Sequence, residues 1–134
     1  MGNEFIIKNG FVSKGNSEIN VNANILGNTT LSGNIKNTGS VTTFNSAVPN
    51  ITNKNVWKLS NTIGSPQNTT LPDGEEGQHL TCYLINDPAG ITVSAATGTF
   101  STVRLGDVGD SFSVVYHNIV GWIITESYGV SILN

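Results

Sequence analysis

The chain has 134 residues, enough for one compact β domain plus an extension. Charged residues make up 11% of it, against roughly 25% in an average soluble domain, and the net charge of −3 leaves no basic footprint for nucleic acid. With 37% hydrophobic residues and little charge it lacks the composition of a disordered chain, and no run approaches the roughly eighteen apolar residues of a membrane-spanning helix.

The polar surface therefore has to come from uncharged side chains. There are 18 Asn, 15 Thr and 13 Ser, and 14 of the Asn fall in residues 1–61, so the two halves differ in kind. The opening Met1-Gly2-Asn3-Glu4-Phe5 has no basic stretch followed by a long apolar run. No signal peptide is expected, and synthesis in a cytoplasm is. Cys82 is the one cysteine, so no intrachain disulfide and no Cys-based metal motif can form.

Residues 1–14 open with Phe5-Ile6-Ile7, turn at Asn9-Gly10 and continue with Phe11-Val12. Two short apolar runs around Asn-Gly predict a hairpin or an anchoring arm. Apolar residues exposed at a terminus suit docking, which makes Phe5, Ile6, Ile7 and Phe11 candidate docking residues. Capping of the segment that follows is the other use for them.

Residues 15–48 carry a six-residue grid. Gly15, Gly27, Gly33 and Gly39 share one phase, with Val21 in the remaining slot; Asn16, Asn22, Asn28 and Asn34 follow one step later, with Ser40 next; Ile19, Ile25 and Leu31 hold a third phase. Gly and Asn both tolerate positive φ, and the β-branched residues between them suit short strands. A sustained short period predicts a stack of tiny strands. Four or five such units cannot bury a core within one chain. Three chains around a common axis could, by pooling Ile19, Val21, Ile25, Leu31, Ile35 and Val41 in a shared interior, with Gly15, Gly27, Gly33, Gly39, Asn28 and Asn34 at the turns. Intertwining would also cover open strand edges. The expectation is a short β-repeat shaft in an obligate homotrimer.

Residues 49–56 read as a polar joint, and 57–134 as an all-β head. Trp57-Lys58-Leu59 alternates, and His79–Ile85, Ile91–Val93, Thr99–Val103, Ser111–Tyr116 and Trp122–Thr125 have strand composition. Pro66, Pro72-Asp73-Gly74, Gly77, Asp87-Pro88-Ala89-Gly90, Gly106 and Gly109 punctuate them. Short strands about ten residues apart predict a sandwich or jelly roll. No window has convincing helical periodicity. Two turns echo each other, Gly74-Glu75-Glu76-Gly77 before the strand ending near Tyr83 and Gly106-Asp107-Val108-Gly109 before the strand ending near Tyr116. They mark either pseudo-symmetric halves or simply two good turns.

Little in the chain suggests catalysis, and no catalytic, cofactor or metal residue is assigned. His79 and Cys82 lie an odd number apart in a predicted strand and so face opposite sides. Asp73, Glu75, Glu76, Asp107 and Asp110 cluster at turns, in a spacing that matches no EF-hand loop. Nucleotide-loop, nucleophile-elbow and zinc-protease motifs are missing. A glycan-cleaving enzyme would need a carboxylate pair about 5–10 Å apart. A carbohydrate-binding module is another class of reading, with Trp57, Tyr83, Tyr116, Trp122 and Tyr128 as candidate stacking platforms, although aromatic residues inside strands are commonly core.

The run Phe5-Ile6-Ile7-Lys8-Asn9-Gly10-Phe11-Val12, followed by Gly27-Asn28-Thr29-Thr30-Leu31-Ser32-Gly33-Asn34-Ile35, resembles the shafts of trimeric bacteriophage fibres and capsid-decorating head fibres. Leu71-Pro72-Asp73-Gly74 with Gly77, and the late Gly121-Trp122-Ile123-Ile124, are similar to the small β domains that end such virion proteins. The resemblance implies a non-enzymatic homotrimer on a virion surface, partnered by the capsid, with no nucleic acid or membrane partner. It leaves the head two roles, stabilising the trimer or binding host-surface or environmental glycans. Residues 15–48 span at most about 110 Å at roughly 3.3 Å per residue. That favours a stubby decoration protein docked through residues 1–14 over the alternative, a short tail fibre or tail-tip component.

Overall fold

A computed structural model describes Thr30 and residues 39–134. The expected docking residues Phe5, Ile6, Ile7 and Phe11 lie outside the described residues, as do Ile19, Val21, Ile25, Leu31 and Ile35 of the expected shaft core and Gly15, Gly27, Asn28, Gly33 and Asn34 of its turns.

The fold is all-β, with no helix among the described residues. The strands are β1 (Ser40–Phe44), β2 (Val56–Ser60), β3 (Gln67–Leu71), β4 (His79–Asn86), β5 (Ile91–Ala95), β6 (Thr102–Leu105), β7 (Ser111–His117), β8 (Gly121–Tyr128) and β9 (Ser131–Leu133). They form a five-stranded sheet in the order β1-β2-β4-β7-β8 and a four-stranded sheet in the order β3-β5-β6-β9. Both sheets are mixed. β1 and β2, β2 and β4, and β3 and β5 pair in parallel; the remaining pairs are antiparallel.

Two of the three parallel pairs, β2 with β4 and β3 with β5, have a simple origin. From β2 to β5 the chain alternates between the sheets, so each strand lands beside the one two steps back. Val56 faces Thr81 and Gln67 faces Ile91, 25 and 24 positions on. This is a two-sided coil, and a parallel pair needs such a long crossover between its strands. The antiparallel strands β6 to β9 then close both sheets. Alternating side chains meet in one core that includes Trp57, Leu59, Leu71, Leu80, Cys82, Leu84, Ile91, Val93, Val103, Leu105, Phe112, Val114 and Trp122.

Asn61 holds two corners of the coil together. It is fully buried, and its amide nitrogen donates to the carbonyls of Ser65 and Gly90, 3.0 Å each. Its side-chain oxygen accepts from the Ile63 amide at 3.0 Å. Asn61→Ala is expected to strand these partners and lower stability by about 2–3 kcal/mol, read as a lower urea midpoint at unchanged slope.

The sheet begins earlier than the composition suggested. β1 lies within the span expected as shaft, and Val41, expected in a shared interior, packs half-buried against the head's own core. Gly39, expected as a repeat turn, accepts from the Asn55 and Val56 amides through its carbonyl. The 49–56 segment, expected as a polar joint, is tied in as well. Ile51 is buried, and the Ile51 and Lys54 carbonyls accept from Gln78 Nε2 at 2.9 and 2.8 Å. Ser46 and Ala47 also meet β3, where Ser46 Oγ donates to Gln67 Oε1 at 3.1 Å and Ala47 O accepts from Thr69 Oγ1 at 2.7 Å. That shields a strand edge which would otherwise invite pairing with another chain.

The echoed turns prove to be related. Glu75–Gln78 and Asp107–Asp110 each close with a hydrogen bond donated by the fourth residue's amide to the first residue's carbonyl. Each has its glycine at positive φ, 76° at Gly77 and 98° at Gly109. In each, the fourth side chain accepts from the first amide, Gln78 from Glu75 and Asp110 from Asp107. The turns feed β4 and β7, which are antiparallel neighbours. Gly77 N donates to Tyr116 O while Gly109 N donates to Leu84 O, so each turn clasps the far end of the other's strand. The symmetry is a local two-fold about the β4–β7 pair.

Candidate functional site

The outward face of β4, β7 and β8 carries a pocket. Strand alternation sends Leu80, Cys82, Leu84, Phe112 and Val114 inward, leaving Thr81, Tyr83, Ser111 and Ser113 on the other side. Register then aligns these residues in two rows. Tyr83, Ser111 and Tyr128 form one, and Thr81, Ser113 and Glu126 the next. Both rows depend on an irregularity in β8. Ser113 faces Glu126 but Val114 faces Ile124, so Thr125 is an extra residue. Its hydroxyl donates to Ser113 O at 3.2 Å. A bulge of this kind re-aims the side chains beyond it, and here it puts Glu126 and Tyr128 on the same face as the serines.

The result is a shallow pocket of about 190 Å³, lined by Thr81 on β4, Ser111, Phe112 and Ser113 on β7, and Glu126, Ser127 and Tyr128 on β8, with Tyr83 outside the lining. Thr81 Oγ1 and Ser113 Oγ lie 3.2 Å apart and share a hydrogen bond. Tyr128 is 75% exposed, Tyr83 is half-buried, and small Ser111 sits between them. Two strand spacings separate the tyrosine backbones, about 9.6 Å at roughly 4.8 Å per strand. The pocket thus offers aromatic surface, several hydroxyls that donate or accept, and one carboxylate that accepts. Glu126 is the only carboxylate lining it, whereas a glycoside-cleaving pair needs two.

The other aromatic candidates are core. Trp57 and Trp122 are fully buried and Tyr116 nearly so. Trp57 Nε1 donates to Thr43 Oγ1 and Trp122 Nε1 to Pro72 O, both at 2.8 Å. Tyr116 meets Trp122 edge-to-face with centroids 5.1 Å apart. His79 is exposed while Cys82 is buried on the opposite face, and burial pushes the Cys82 thiol well above its usual range. Three turn carboxylates serve the backbone. Asp110 accepts from Gly106 N and Asp107 N, Asp87 from Ala89 N and Gly90 N, and Glu76 from Asn118 N. Among the described residues no three His, Cys, Asp or Glu side chains converge as a metal-holding group.

The sequence offered Tyr83 and Tyr128 as two aromatics among five. It did not pair them, because the pairing depends on strand order and on the bulge at Thr125. No known family model and no curated protein matches the chain.

Proposed function

We propose that this is a non-enzymatic structural protein of a virion surface, a homotrimeric capsid decoration protein or short head fibre. Residues 1–14 dock on the capsid, the six-residue grid winds three chains into a short shaft, and the β head faces outward. The observation that carries this reading is the junction between grid and head. The last grid slots, Gly39 and Ser40, run without a break into β1, which stands at the edge of the five-stranded sheet among the described residues. An edge strand in that position invites a neighbour, and Phe44 and Val48 beside it are more than half exposed. A three-fold shaft delivers three such edges to one axis, where symmetric copies make self-consistent contacts. Ile19, Val21, Ile25, Leu31 and Ile35 line the shaft interior, and Val41 marks where the shared core gives way to the core of each head. The uncharged Asn, Thr and Ser surface supports a part assembled into a particle, because low charge favours packing against neighbours over dispersal.

The test is the solution mass of the purified full chain by light scattering. The expected species has about three times the 14.2 kDa chain mass, at all concentrations down to the micromolar range. A species of one chain mass would sink the shared-core shaft and the virion reading with it.

A further inference from the structure

We propose that the pocket on β4, β7 and β8 binds a single ring of a neutral, hydroxyl-rich saccharide. The inference is independent of the oligomeric reading. It rests on the row Tyr83–Ser111–Tyr128 and the adjoining row Thr81–Ser113–Glu126.

The first row crosses the pocket, with Ser111 and Tyr128 lining it and Tyr83 next in register outside the lining. Two tyrosines flank a serine, and their backbones stand two strand spacings apart, about 9.6 Å. A pyranose ring is flat, with polarised C–H groups on its faces, and those groups suit the negative face of an aromatic ring. Tyr128 is open to solvent, with three-quarters of its surface exposed, and β8 stands at an edge of the sheet among the described residues. Ser111, beside Tyr128 in register, is small and also lines the pocket.

The second row supplies the polar groups. The Thr81 and Ser113 hydroxyls already bond each other at 3.2 Å, which positions both and leaves each with further capacity. Glu126 accepts hydrogen bonds only, and an ionised acceptor makes the stronger bond to a sugar hydroxyl. Apolar wall, convergent hydroxyls and one charged acceptor are the mix expected of a small-ligand site.

Charge selects the ligand class. Glu126 is the only charged group lining the pocket and the chain carries a net −3, so sialic and uronic acids are repelled and neutral hexoses admitted. The pocket is open and shallow, so affinity at one site is in the millimolar range. Multivalent display would raise the avidity without new contacts.

The experiment is a titration of the isotope-labelled full chain, followed by backbone amide NMR. The probes are neutral glucose, galactose and mannose oligosaccharides, with polygalacturonate and sialyllactose as anionic controls. At least one neutral probe is expected to shift the amides of Ser111, Ser113 and Glu126–Tyr128 saturably below about 10 mM. Tyr128→Ala should weaken binding at least about tenfold, while Tyr128→Phe keeps the stacking face and stays within about threefold of the parent. Tyr128 is exposed, so both variants should melt with the parent, and unchanged melting certifies the comparison. Four outcomes overturn the proposal: no neutral probe shifts those amides, the shifts map to another face, Tyr128→Ala binds as well as the parent, or the anionic controls bind better than every neutral probe.

Discussion

Replacing Trp57 by Ala is expected to lower the stability of the head by about 3–5 kcal/mol, the usual range for removing a large buried aromatic side chain. Trp57 is fully buried near the centre of β2. Its neighbours in register are Val41 on β1 and Cys82 on β4, so one side chain fills space beside three adjacent strands. It also satisfies a buried partner, because Thr43 is itself only 6% exposed and takes the indole N–H at 2.8 Å. At about 4–8 °C per kcal/mol for a domain of this size, the fall in Tm should be roughly 12–40 °C. It is measured by calorimetry at fixed protein concentration, since association would otherwise contribute. Trp57→Phe keeps most of the volume and loses only the donor, so about 1–2 kcal/mol is expected. Combining it with Thr43→Val in a double-mutant cycle should return a coupling of about 1 kcal/mol. A coupling of zero would mean that β1 does not anchor the head through this bond.

The Trp57–Thr43 bond also explains what composition could not reveal about the domain's limits. Residues 40–44 read Ser-Val-Thr-Thr-Phe, and their phase and residue types continue the six-residue grid. Nothing local separates a shaft strand from a sheet strand with the same alternation. The distinction is made by a partner 14 positions away. β3 was hidden differently. Gln67-Asn68-Thr69-Thr70-Leu71 is polar and sits between Pro66 and Pro72, which reads as loop. It is a strand because parallel pairing to β5 and burial of Thr69 and Leu71 decide the matter. β9 is three exposed residues whose pairing to β6 is non-local.

The legible parts are those where alternation and punctuation agree. β2, β4, β5, β7 and β8 all fall on runs that the sequence marks as strands, and β6 is displaced toward Leu105 from the expected Thr99–Val103. The Gly-x-x-Gly echo was visible as a pattern, but two good turns would have looked the same. Only the reciprocal bonds to Tyr116 O and Leu84 O make it a symmetry. The pocket was less legible still. Tyr83, Ser111 and Tyr128 are far apart in sequence, and their alignment needs the order β4-β7-β8 together with the extra residue at Thr125. Strand order among non-local pairs is not encoded in any short window.

Gly121→Val is expected to be as damaging as loss of Trp57, for a backbone reason. Gly121 begins β8 with φ at +77°, a conformation that a β-branched residue rarely adopts. A Cβ there would also lie 2.3 Å from the carbonyl carbon and oxygen of Thr97. Thr97 cannot simply move aside. Its carbonyl accepts from Trp122 N at 2.9 Å, and Thr99 N donates to Trp122 O at 2.9 Å. Gly98 also bridges to Trp122. These bonds staple the loop between β5 and β6, both in the four-stranded sheet, to the first turn of β8 in the other sheet. Relieving the overlap therefore breaks a cross-sheet contact or displaces Trp122, whose indole is held at Pro72 O. Strain of about 1–3 kcal/mol at positive φ and overpacking of about 1–3 kcal/mol combine to roughly 2–6 kcal/mol. Gly121→Ala, without the β-branch, should cost somewhat less but remain clearly destabilising, since its Cβ meets the same carbonyl. Urea unfolding monitored by tryptophan fluorescence reads both variants. A midpoint within error of the parent for Gly121→Val would mean that the Thr97–Trp122 staple yields freely and does not hold the two sheets together.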